Sequence, residues 1–182
     1  MGTNDIDRIL IPKAEIQKRV KEIAQMISAD YKDKRLLVLC ILKGASVFFA
    51  DLIREMECEV EFEFIGLSSY KNSAKSSGTV NLIKDMTSSV EGKDVLVVED
   101  IIDTGLTLTY LKKLLVERGA SSVKICTFLD KSIKRKVPLK GDYVGFDVPD
   151  EFIVGYGLDY AEKYRNLSDI CVLKREVYEK KD

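Results

Sequence analysis

The sequence predicts an α/β fold, a mainly parallel sheet flanked by helices, from three observations. Leu36–Leu42 and Val95–Glu99 are apolar almost throughout, as strands buried on both faces must be. Each is followed by a segment of helical length and spacing, so strand and helix alternate. No internal repeat, low-complexity tract or Pro/Gly/Ser-rich linker divides the 182 residues, which suit one domain.

Taken in order, Ile16, Val20, Ile23, Ala24 and Ile27 recur at helical spacing, which predicts an amphipathic helix over Pro12–Ala29 with proline in its first turn. Strand Leu36–Leu42 follows, then a helix over Gly44–Met56. Glu57–Phe64 alternates Glu with apolar residues, a period of two that predicts a strand with one solvated acidic face rather than a metal-binding row. Ser68–Val80, rich in Ser, Lys and Gly, reads as a long loop of the kind that forms lids. After strand Val95–Glu99 comes a helix over Thr104–Arg118, with Leu108, Leu111 and Leu115 on one face and Gly119 as its stop. Strands over Val123–Leu129, Tyr143–Phe146, Phe152–Val154 and Ile170–Leu173 complete the set. In parallel sheets ligands bind beyond the carboxyl ends of the strands, which directs attention to residues near 42, 69, 99 and 130.

Composition narrows the chemistry. Twenty-nine Lys and Arg against 30 Asp and Glu leave a net charge of -1, without the basic footprint of a nucleic-acid binder or the attraction of a basic chain to membranes. The chain has no His, which excludes Ser-His-Asp triads, Cys-His dyads and His metal sites, so proton transfer falls to carboxylates, Lys, Tyr or Cys. Its four Cys form no Cys-x-x-Cys, and Cys40, Cys126 and Cys171 lie in apolar runs that mark them as reduced core residues. The first residues show no basic head before an apolar stretch, and no apolar run approaches a membrane span, so the expectation is a cytoplasmic protein.

One segment concentrates the chemistry: Glu99-Asp100-Ile-Ile-Asp103-Thr104-Gly105-Leu106-Thr107, where a buried strand turns into a helix. Thr hydroxyls, a glycine permitting close backbone approach and free amides at a positive helix end suit a phosphomonoester. Glu99 and Asp100 suit ribose hydroxyls or a divalent cation, both of which accept carboxylate oxygen. A phosphorylated, metal-bound sugar satisfies both halves. A solvated acid pair beside an ordinary helix cap would explain each part but not their coincidence. There is no Gly-x-x-x-x-Gly-Lys-Ser/Thr, and Gly155-Tyr-Gly157 lacks the third glycine of a dinucleotide loop.

Val95–Thr107 resembles the phosphoribosyl-diphosphate (PRPP) signature of the type I phosphoribosyltransferases, in the form found in the purine-salvage branch. Leu42-Lys43-Gly44-Ala45 resembles that branch's diphosphate loop, Ser69-Tyr70 its lid, Asp130-Lys131 with Arg135 its base-recognition segment, and Phe152–Tyr160 with Arg165 its C-terminal hood. The resemblance implies the type I phosphoribosyltransferase fold, with a core over about 30–145 and a hood from about 146–182 plus the N-terminal segment. It also implies a purine-salvage transferase that joins the ribose of PRPP to N9 of hypoxanthine or guanine and releases pyrophosphate.

Residue by residue, the resemblance makes Asp103 the general base for the purine N7 proton. It assigns Asp103, Thr104, Gly105, Leu106 and Thr107 to the 5′-phosphate, and Glu99 and Asp100 to ribose and metal. Lys43, Gly44, Ser69, Tyr70 and Arg165 fall to the diphosphate, and Lys131, Phe152, Ile153 and Asp159 to the base. The implied cofactor is Mg2+, one ion bridging ribose and diphosphate and a second held by Asp159. Crowding by Glu99 and Asp100 is expected to raise the Asp103 carboxyl toward a useful base. The family's loop implies a cis peptide between Leu42 and Lys43, and its members form homodimers or homotetramers. Two other readings share the topology: a regulator sensing PRPP while binding RNA or DNA, and a receiver-like signalling domain. Near-neutral charge and the Asp103, Lys131 and Asp159 set favour the enzyme over the regulator, and the receiver-like reading leaves the hood residues unexplained.

Overall fold

The structure is a computed structural model and describes residues 3–69 and 80–179. Its main sheet has six strands in the order β4-β3-β2-β5-β6-β7: β2 (Leu36–Leu42), β3 (Val60–Ser69), β4 (Val80–Lys84), β5 (Asp94–Ile102), β6 (Ser122–Asp130) and β7 (Tyr143–Asp147). All neighbours pair in parallel except the edge pair β3 and β4.

Alternation along β2 explains the layering. Leu36, Val38 and Cys40 join the core formed with helices α1 (Lys13–Asp30) and α2 (Ser46–Glu55). Leu37, Leu39 and Ile41 face the opposite core, against Leu108, Leu111 and Leu115 of α3 (Leu106–Glu117). Successive strand side chains point to opposite faces, so an unbroken apolar run is what a sheet covered on both sides requires. Cys40, Cys126 and Cys171 are buried and free. Among the described residues no helix is long and apolar enough to cross a membrane.

A second, three-stranded antiparallel sheet in the order β1-β9-β8 joins the chain's two ends: β1 (Ile6–Ile11), β8 (Ile153–Val154) and β9 (Ile170–Leu173). A short helix, α4 (Arg175–Tyr178), follows.

Several boundaries differ from expectation for tertiary reasons. β3 starts at Val60 rather than Glu57, because its parallel register with β2 begins at Leu36↔Val60. It runs past Phe64 to Ser69, because β4 supplies partners up to Ser69↔Val80. Its acidic face is engaged as well as solvated: Glu61 pairs with Lys93 at 2.6 Å, and Glu63 accepts hydrogen bonds from Thr87 and Ser88. Tyr70 and the rest of the loop up to residue 79 lie outside the described residues. β1 and β4 are strands that periodicity missed.

Candidate active site

Strands β2, β5 and β6 end together, at Leu42, Ile102 and Asp130, and a cavity of about 280 Å³ opens at those ends. Glu99, Asp100, Asp103, Thr104, Gly105 and Thr107 all line it, as does Leu42. The PRPP-like segment is therefore one surface.

The turn into α3 hinges on Gly105, whose φ of +81° is left-handed. This is why the helix starts at Leu106 rather than at Thr104. The turn is also packed from below: a Cβ on Gly105 would lie 2.9 Å from Cγ2 of Val137 and 3.1 Å from Cδ of Arg135. Thr104 Oγ1 accepts a long hydrogen bond from the Leu106 amide (3.4 Å), and its carbonyl accepts one from the Lys136 amide (3.0 Å). Hydroxyls and amides thus converge at the helix start, the arrangement that receives a phosphate dianion. Asp103 is exposed at the rim of the same cavity.

The structure crowds Glu99 and Asp100 against each other. The Glu99 carboxyl is pushed well above the usual carboxylate range, by burial first and by repulsion from Asp100 second. Burial also raises Asp100, while hydrogen bonds from Glu99 and from the Ile101 amide, the latter 2.8 Å, pull it back. Two half-buried carboxylates side by side at the cavity wall favour sharing a proton or receiving a cation. The donor set is hard oxygen and fits Mg2+. Among the described residues no group of three or more acidic, Cys or His side chains is arranged to hold a metal ion.

The Leu42–Lys43 peptide is cis, and the loop it opens passes directly over the acid pair. Lys43 Nζ lies 3.1 Å from Glu162. Arg165 is bonded on three sides, donating to the Gly157 carbonyl (2.8 Å) and pairing with Asp159 (2.8 Å) and Glu162 (3.4 Å). Asp159 faces Arg165 rather than the acid pair, and its other oxygen accepts from the Glu162 amide at 2.9 Å.

On the opposite side Lys131, 8% exposed, donates to the Glu151 carbonyl at 2.7 Å, and burial pulls its amine below the ordinary lysine range. Phe152 stacks on Tyr178 with centroids 4.7 Å apart and meets the edge of Tyr160 at 5.4 Å, while Ile153 is buried in β8. Arg135 pairs with Asp130 and donates to the Leu139 carbonyl, which folds the segment after β6 beneath Gly105. Ser69 closes β3, and Tyr70 lies outside the described residues. Sequence reading missed Glu162 and the internal role of Arg135, since both depend on neighbours distant in the fold or hidden by the turn.

A parallel sheet whose strand ends carry an acid pair, a left-handed turn offering hydroxyls and amides and a loop resting on the acid pair suits a sugar-phosphate transferase. The Phosphoribosyl transferase domain family model matches residues 9–161, and the chain belongs to that family. The hypoxanthine-guanine phosphoribosyltransferase of Bacillus subtilis (strain 168) is 54% identical over 98% of this chain and 99% of its own length. That of Streptococcus thermophilus (strain CNRZ 1066) is 49% identical over 99% of this chain and 100% of its own. A crystal structure of a hypoxanthine phosphoribosyltransferase from Staphylococcus aureus superposes with a TM-score of 0.94, at 45% identity, covering 97% of this chain and 96% of that one.

Proposed function

We propose that this enzyme transfers the 5-phosphoribosyl group of PRPP to N9 of hypoxanthine, and also of guanine, giving IMP or GMP and pyrophosphate. The observation that carries the reading is the single cavity shared by the acid pair, Asp103 and the Thr104–Thr107 turn. Relatives of nearly the same length that bear the hypoxanthine-guanine name support the choice of base.

In this reading the amides and hydroxyls of Thr104–Thr107 hold the 5′-phosphate, and Glu99 and Asp100 hold the ribose hydroxyls. Lys43, Gly44, Ser69, Tyr70 and Arg165 receive the diphosphate, Arg165 through its forked donor. Lys131 donates to the purine O6, Phe152 stacks on the ring and Ile153 meets its opposite edge. Asp103 accepts the N7 proton as N9 bonds to the ribose C1 and the C1–O bond to diphosphate breaks. Glu99 and Asp100, with Asp159 for a second ion, would hold Mg2+, which supplies neutralisation of the charge on the departing diphosphate.

The chain is proposed to act as a single domain in the cytoplasm, as a homodimer or homotetramer, which sedimentation distinguishes. The decisive assay follows ultraviolet absorbance of hypoxanthine and guanine separately, with PRPP and Mg2+. Nucleotide formed from either base supports the activity, and failure with both overturns it.

A further inference from the structure

The cations assigned to the diphosphate are not free before substrate arrives. Oε2 of Glu162 lies 3.1 Å from Lys43 Nζ and 3.4 Å from Arg165 Nη2, bridging two positive groups that come from opposite ends of the sequence. Two cations drawn together repel unless anions sit beside them, and here those anions are carboxylates of the protein itself: Glu162 spans the pair, and Asp159 also holds Arg165 at 2.8 Å.

The position of Glu162 is held by a well-bonded turn. Ala161, Glu162 and Tyr164 all have left-handed φ, +51°, +63° and +74°, which L residues adopt rarely and only where the surroundings impose it. Those surroundings are visible: Tyr160 and Lys163 exchange backbone hydrogen bonds, Tyr164 Oη donates to Asp5 at 2.7 Å, and the Glu162 amide donates to Asp159. The Glu162 and Lys43 side chains remain 65% and 69% exposed, so a ligand can reach the pair.

We propose that Glu162 is an internal stand-in for the substrate's diphosphate, a residue whose carboxylate must be displaced from Lys43 and Arg165 when PRPP binds and which returns to them when pyrophosphate leaves. This rests on the assignment of Lys43 and Arg165 to the diphosphate. A monoanion holds the cations in place, and a polyanion outcompetes it. The cost is weaker apparent binding, because only molecules with the pair open are ready for substrate. The gain is a lower barrier to losing a highly charged product, a step that often limits turnover.

Glu162→Gln removes the charge while keeping the side-chain size. Inorganic pyrophosphate binding is measured by calorimetry, with and without Mg2+, beside the steady-state KM values. Exposed ion pairs of this kind are worth modest energies, so the variant should bind pyrophosphate about three- to tenfold more tightly and lower the KM for PRPP in parallel, leaving the KM for hypoxanthine within about twofold. Glu162→Ala should shift both in the same direction, and Glu59→Gln, a distant exposed acid, should shift neither. Unchanged or weaker pyrophosphate binding in Glu162→Gln overturns the inference. Lys43→Met separates the layers: if it weakens pyrophosphate binding while Glu162→Gln does not tighten it, only the stand-in role falls. If Lys43→Met binds pyrophosphate like the parent, the diphosphate assignment falls and takes the inference with it.

Discussion

Gly44 lies so close to Asp100 that a Cβ on the glycine would sit 1.7 Å from the carboxylate Oδ2. The loop after β2 therefore rests its backbone on the acid pair at the end of β5. Gly157 repeats the device one layer out, where a Cβ would lie 2.1 Å from the Gly44 carbonyl oxygen. The acid pair, the loop after β2 and the segment around Gly157 are stacked through two residues that have no side chain.

Gly44→Ala must push Asp100 aside or lift the loop. Overpacking of this kind costs about 1–3 kcal/mol of stability. The larger effect should be on activity, because the displaced carboxylate is one proposed to hold ribose and metal. We expect kcat/KM for PRPP to fall at least about 100-fold, with a Tm only a few degrees lower. A variant with near-normal kcat/KM would show that the loop and acid pair need not touch.

Asp103 is exposed at the cavity rim, so replacing it should leave the fold intact. A positioned general base contributes about 10²- to 10⁴-fold, and Asp103→Asn should lower kcat by that order with Tm unchanged. Turnover within threefold of the parent would remove Asp103 from the proton transfer.

Asp130 and Arg135 form an ion pair only 11% and 13% exposed, and it holds the segment under Gly105. Removing one member strands the other charge, at a cost of about 3–5 kcal/mol in comparable sites. Arg135→Met should lower stability in denaturant titrations by that order and raise the KM for PRPP, since the turn proposed to hold the 5′-phosphate loses its support. Unaltered stability would mean that the pair is dispensable.

Glu63 provides a pH test away from the chemistry. Side-chain hydrogen bonds from Thr87 and then Ser88 hold its carboxyl down at about 2, against an ordinary 4.5. The folded state prefers the ionised form, so its contribution is complete above pH 4.5 and is lost as pH falls from 4.5 toward 2. Glu63→Gln should lower Tm by a few degrees at neutral pH, and the gap from the parent should close across that acid window. A gap that stays constant down to pH 2 would contradict this account.

The sequence by itself determined the layers and the heart of the site. Runs buried on both faces can only be inner strands of a covered sheet, and acids, glycine and threonines adjacent in the chain stay adjacent when a strand turns into a helix. Local geometry carries such features. Only the tertiary structure decided what rests on partners far along the chain or hidden by a turn: where β3 begins and ends, that β1 and β9 pair, and that Arg135 pairs with Asp130. It likewise decided that crowding falls on Glu99 and Asp100, and that Glu162 sits between Lys43 and Arg165. Strand pairing, desolvation and charge pairing depend on distance in space, and spacing along the chain does not encode that distance until the chain has folded.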